Sequence, residues 1–175
     1  MSNQTMDEAA MMEAWAKAGT PNERHKALEP LVGEFTAEAK MYAGGPDAPP
    51  EVSVGGAKNE WILGGRQLRT TYKGDFCGQN FEGVGYFGFD IPRDVYVGTW
   101  MDTMCTMIMT HEGPHTGDDK VIEMRGEFTN AMGQRIKDRH VTRIQDNDHH
   151  TFEMYHTGPD GNEALVGVIS YTRKK

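Results

Sequence analysis

From Gly33 to the C-terminus the chain is a run of short alternating segments separated by glycine-rich turns, and it leaves almost no length for a helix. Ten such segments read as strands: 33–42, 58–63, 66–76, 79–90, 93–104, 106–113, 120–128, 134–144, 150–156 and 163–172. Ten evenly spaced short strands in one small chain predict a mainly β fold, a closed or nearly closed antiparallel barrel. A barrel of that size either fills its interior with side chains or encloses one small ligand. The insert 43–56 is rich in proline and glycine and is read as a loop over one end, joined to the start of the second strand. Residues 1–32 form a separate N-terminal helical segment, and 33–175 form the barrel of a single domain.

Two helices are predicted before Gly33. Thr5 caps the first, which opens on Asp7 and Glu8 and places Ala10, Met11, Ala14, Trp15 and Ala18 on one face. The second begins at Thr20-Pro21-Asn22-Glu23, a capping-box pattern with Thr20 as the cap, and is cut short by Pro30 and Gly33.

Successive strand side chains point to opposite faces, so the alternation sorts residues into inside and outside. In 134–144, Arg135, Lys137, Arg139, Val141 and Arg143 form the solvent face, which turns Ile136, Asp138, His140, Thr142 and Ile144 inward. By the same rule Leu68, Thr70 and Tyr72 share a face. So do Met107, Met109 and His111, then Ile122, Met124, Gly126 and Phe128, and lastly Phe152, Met154 and His156. The segment 81–89 is apolar on both faces and its orientation is not readable.

The formal net charge of −8 argues against nucleic acid and anionic membrane as partners, because both require a basic surface. No apolar run approaches the length of a membrane span, and the N-terminus lacks the basic and apolar regions of a secretory signal. A cytoplasmic location is expected, with Cys77 and Cys105 as free thiols. Gly83-x-Gly85-x-x-Gly88 matches a dinucleotide fingerprint by letter only, since it lies within a strand and opens no helix.

Among the seven histidines, His111 and His115 are separated by Gly113-Pro114, which breaks any element that would align them. His140 and His156 fall on inward faces. With Asp138 they could hold a metal or perform acid–base chemistry, or form a hydrogen-bonded polar layer. No metal or cofactor is assigned from this spacing. Tyr72, Trp100, Met109, His111, Met124, Asp138 and His140 are the candidate lining of a ligand site. Trp61, Tyr86, Met104 and Asp102 are further contributors to such a pocket.

The block Leu31-Val32-Gly33-Glu34-Phe35, followed by an acidic first strand and Gly45-Pro46-Asp47, resembles a bacterial family catalogued as domain-of-unknown-function family 1579 (DUF1579). Trp61-Ile62-Leu63-Gly64-Gly65-Arg66, Gly85-Tyr86-Phe87-Gly88-Phe89-Asp90 and Tyr96-Val97-Gly98-Thr99-Trp100 carry the resemblance, which runs from about His25 to the end. It implies a lipocalin-like, calycin-type, up-and-down barrel whose first strand starts with G-x-W. Phe35 stands at the place of that Trp, keeping the apolar plug without the indole N–H. The family supplies no activity and no site residues.

Three functions remain open. The first is binding of a small, mainly apolar molecule inside the barrel. The second is a small barrel enzyme (isomerase, hydrolase or decarboxylase) using His140 with Tyr72 or Asp138. The third is a ligandless barrel acting as an interaction module, for instance a homodimer docked through Met11, Met12 and Trp15.

Overall fold

A computed structural model of the chain describes residues 7–42, 48–76, 78–158 and 161–175. Two helices, α1 (Glu8–Gly19) and α2 (Glu23–Lys26), precede a 3-10 turn at Glu29–Leu31. Ten strands follow: β1 (Gly33–Met41), β2 (Glu51–Ile62), β3 (Gln67–Phe76), β4 (Gln79–Asp90), β5 (Val95–Asp102), β6 (Met109–Pro114), β7 (Val121–Thr129), β8 (Arg135–Ile144), β9 (His149–Thr157) and β10 (Glu163–Arg173). Each strand pairs antiparallel with its neighbours in sequence, and β1 pairs with β10 to close the ring. The fold is therefore an up-and-down, lipocalin-like barrel, and closure satisfies the edges that an open sheet would leave bare. Among the described residues no helix is long and apolar enough to cross a membrane.

Several local expectations are corrected. The strand β2 reaches back to Glu51, well into the predicted loop, and its register with β1 is unbroken from Asn59 to Glu51. Val52 and Val54 are exposed, so backbone pairing rather than burial holds this part of the strand. Thr5 lies outside the described residues, and Asp7 occupies the N-cap of α1. None of the residues of α1 is buried; Met11 and Trp15 of the predicted apolar face are exposed, as is Met12. In α2 the cap is Asn22 and not Thr20, and the capping box is completed by His25 and not by an acidic side chain. The imidazole reaches the same backbone N–H that Glu would, while burying its ring edge-on against Phe89. Strand β6 begins only at Met109 and continues through Gly113 to Pro114, where a proline at a strand end disrupts no interior ladder.

One end of the barrel is plugged. Leu28 and Leu31 pack with Leu68, Phe89, Tyr96, Ile122, Met124 and Ile144, an apolar stopper contributed by the 3-10 turn with its cap and five strands. Trp61 Nε1 donates to Glu29 Oε2 at 2.8 Å, and Asn59 Nδ2 donates to the Leu31 carbonyl at 2.7 Å. These bonds tie the turn to β2. Beside them Phe35 is fully buried, with the Arg173 guanidinium 4.7 Å above its ring. Arg173 donates to the carbonyls of Val32, Pro30 and Asn147, so the end of β10 is clamped to the entry of β1.

His150 completes this end, edge-on to Phe35 and stacked on Tyr171 at 4.4 Å. Burial, helped by the nearby Arg173 charge, pushes its imidazole down from 6.5 to about 4. A lowered folded-state value means that both states are neutral above pH 6.5 and the native state is fully stable there. As the pH falls towards about 4, only the unfolded chain takes up the proton, and stability is lost. The linkage is worth roughly 3 kcal/mol. Replacement His150→Phe keeps a ring in the stack without the titration. Urea unfolding at pH 7 and pH 4.5 should show a smaller pH-dependent loss in the variant than in the parent, and an equal loss would refute this assignment.

Candidate functional site

The register of β5 to β10 aligns Gly98, His111, Gly126, Asp138, His156 and Ala164 in one belt around the barrel. His140, two residues along β8, pairs with Met124 and Met154 in the adjacent belt. Because all these positions share the inward parity, three imidazoles turn towards one carboxylate. His111 Nε2 lies 2.8 Å and His140 Nε2 lies 2.9 Å from the same oxygen, Asp138 Oδ2. His156 Nε2 stands 3.8 Å from the other oxygen, Oδ1. The rings of His111 and His140 stack with centroids 4.0 Å apart.

His111 must cross β7 to reach Asp138 on β8, and Gly126 is what lets it pass. A Cβ at Gly126 would come within 2.4 Å of the Thr110 carbonyl oxygen and 2.7 Å of His111 Cδ2, separations no packed pair tolerates. The same device recurs at Gly83, where a Cβ would fall on the Trp100 ring. The strand glycines are thus seats on which large inward side chains from the neighbouring strand lie flat.

Asp138 is 3% exposed. Burial alone would push its carboxyl up, but hydrogen bonds from His111 and His140 outweigh that and hold it well below the usual carboxylate range. Burial pushes His140 down, only partly opposed by Asp138. The same balance lowers His156. The arrangement is therefore an anionic carboxylate whose Oδ2 is hydrogen-bonded by His111 Nε2 and His140 Nε2. Such a group can position a proton donor, accept a proton at Nδ1, or ligate a cation.

The structure brings His111, Asp138 and His140 together and leaves the other candidates apart. Tyr72 packs with Ala37 and Ala57 against Phe81, Trp100, Ile169 and Tyr171, in a cluster distinct from the histidines. Met124 belongs to the plugged-end core. Met109 is half-buried at the start of β6. Trp100 Nε1 donates to Asp102 Oδ2 at 2.9 Å, which satisfies both groups. Trp61 packs against the stopper. Tyr86 and Met104 are exposed, at 40% and 49%, and line no interior. Cys105 is a free thiol near Asp102, and Cys77 lies outside the described residues. The ring partners Phe152 on His140 and Phe128 on His156, with centroids at 4.7 Å and 5.3 Å, were not singled out from the sequence. Their inward parity was the available signal.

A cleft of about 850 Å³ is lined by Tyr86, Arg93, Glu112, Arg125, Lys137 and Arg139 on its outer side and also touches Gly98, His111, Gly126 and Asp138 of the polar belt. Of its charges, Arg93 pairs with Glu112 and Arg139 with Glu163. Exposed pairs of this kind contribute at most about 1 kcal/mol each.

If Gly126 is the seat for His111, Gly126→Ala should overfill the contact and destabilise the barrel by about 1–3 kcal/mol. It should also displace the His111 ring signals in NMR. Gly19→Ala, where an added Cβ meets nothing within 4 Å, should change stability by less than about 1 kcal/mol. Equal effects would show that the seat is unimportant.

Two solved structures are similar in fold. Rv2717c from M. tuberculosis matches with a TM-score of 0.62 at 15% identity, over 89% of this chain and 100% of that one. The S-type phycobiliprotein lyase CPES from Guillardia theta matches with a TM-score of 0.54 at 10% identity, over 91% and 97%. At these identities the likeness is one of fold alone. A search of curated proteins finds no match in sequence. The family model described as a protein of unknown function, DUF1579, matches residues 20–173, and the chain belongs to that family.

Proposed function

We propose that the barrel binds a small, mainly apolar molecule in the half of its interior opposite the plug. The observation that carries this is a gradient of burial along the inward faces. At the plugged end Phe35, Leu68, Phe89, Tyr96, Ile122 and Ile144 are buried. Phe81, Trp100, Met109, Phe128, Met154 and His156 have the inward parity and are only half-buried, Phe81 and Trp100 packing against the buried Tyr72, Ala37 and Ala57. Inward side chains that keep accessible surface leave room for a guest, which aromatic and methionine groups would edge, with His140, His156 and Asp138 beside it. Apolar walls with a few convergent polar groups are the usual make-up of a small-molecule site, and methionine adapts its shape to a guest.

A second reading uses the same polar groups for catalysis. The contact of His140 with Asp138 favours acid–base chemistry in an isomerase, hydrolase or decarboxylase, with Asp138 rather than Tyr72 as the partner of His140.

A lipophilic fluorescent reporter should bind saturably to the parent protein. Phe128→Arg sets a charge in the open half and should weaken that binding at least tenfold, roughly 1.4 kcal/mol. Tyr86→Arg, on the outer wall, should leave it unchanged. Loss with Tyr86→Arg and retention with Phe128→Arg would place the site outside the barrel and overturn the proposal.

A further inference from the structure

Three imidazoles gathered on one carboxylate in a barrel interior carry a large desolvation cost, which a polar layer recovers only if every acceptor is satisfied. Here one is not. Asp138 Oδ1 is buried and accepts no hydrogen bond, and His156 Nε2, at 3.8 Å, is beyond bonding range. An orphaned anionic oxygen in a residue 3% exposed is an unused ligand for a cation. His111, Asp138 and His140 each offer one donor atom, and these atoms lie within 4.8 Å of one another.

We propose that His111 Nε2, His140 Nε2 and an Asp138 carboxylate oxygen bind one divalent transition-metal ion of the zinc class, with His156 beside them at the remaining position. Two histidines and a carboxylate suit such ions better than calcium or magnesium, which prefer oxygen throughout. Tetrahedral zinc with bonds of about 2.0–2.1 Å sets its ligand atoms about 3.3–3.4 Å apart. The present separations of 2.8 and 2.9 Å are those of hydrogen bonds that close the site when no ion is held. Opening it by about half an ångström is a matter of small side-chain rotations. Each imidazole then moves its proton from Nε2 to Nδ1 and gives its Nε2 lone pair to the metal, while the carboxylate supplies the negative charge. No oxidant or further reactant is involved, and the site needs no organic guest.

The full chain, stripped with chelator, is titrated with Co2+ as a coloured probe and then with Zn2+ in competition. The expected result is one equivalent bound, with the visible bands of a tetrahedral cobalt site, displaced by zinc. Asp138→Asn and His111→Gln should each weaken binding by on the order of 100-fold. His149→Ala, which removes a surface histidine paired with Asp146, should not. Should the interior variants fail to fold, the ring signals of His111 and His140 in the parent protein decide the matter: they must move on adding zinc while those of His149 stay. Absence of stoichiometric binding, binding that survives Asp138→Asn in a folded variant, or zinc shifts confined to His149 would each overturn the proposal. Reporter binding is measured without metal, so failure here leaves the ligand reading standing, and the reverse holds equally.

Discussion

Closure of the ring through β1 and β10 is the constraint on which everything else in this molecule rests. Phe35 pairs with Arg173 and Met41 with Gly167 across that seam, and the same Arg173 reaches over Phe35 to three carbonyls beyond the sheet. The join is therefore a ladder finished by a charged clamp. With the ends fastened, inward and outward parity is fixed for every strand at once, because a slip of one residue anywhere would turn an apolar stripe out and a charged one in. The aromatic stopper at the clamped end and the accessible side chains at the other follow from that single registration.

Within this frame the polar cluster is the one place where the interior departs from apolar packing. Its members come from three strands, and they meet because β7 supplies a glycine at the crossing point. A buried ion pair is weak evidence for stability in itself, since apolar replacements of similar volume are often as stable. The stopper already supplies a core without it. Binding a guest or a cation is a reason for such a cluster that packing does not provide.

Much of this was legible in the chain. The period-two alternation of β3, β7, β8 and β9 sorted Tyr72, Met124, Asp138, His140 and His156 to the inside because charged residues occupy the opposite parity. The strand boundaries at β2 and β6 were less readable. Val52 and Val54 sit in a strand held by backbone pairing alone, which leaves no burial signature, and Pro114 disguises a strand end as a break. The helix cap was misassigned because an imidazole can take the place of the expected carboxylate. What no single segment could show was the meeting of His111 with Asp138. It depends on register between strands distant in sequence and on the missing side chain at Gly126, and the strand pattern of each segment is silent on both. The same holds for Tyr72, whose inward parity was correct but whose neighbours turned out to be aromatic rings and alanines.

Strand β6 is six residues long, and its ladder with β7 registers only His111 with Gly126 and Glu112 with Arg125. This is the shortest ladder in the wall among the described residues. The imidazole that leaves β6 at that point crosses β7 and fastens to β8. The histidine is thus a stitch through the thinnest part of the fabric, and whatever occupies or vacates the carboxylate at its far end pulls on the wall itself. The central carboxylate and the thinnest part of the wall are joined by a single side chain.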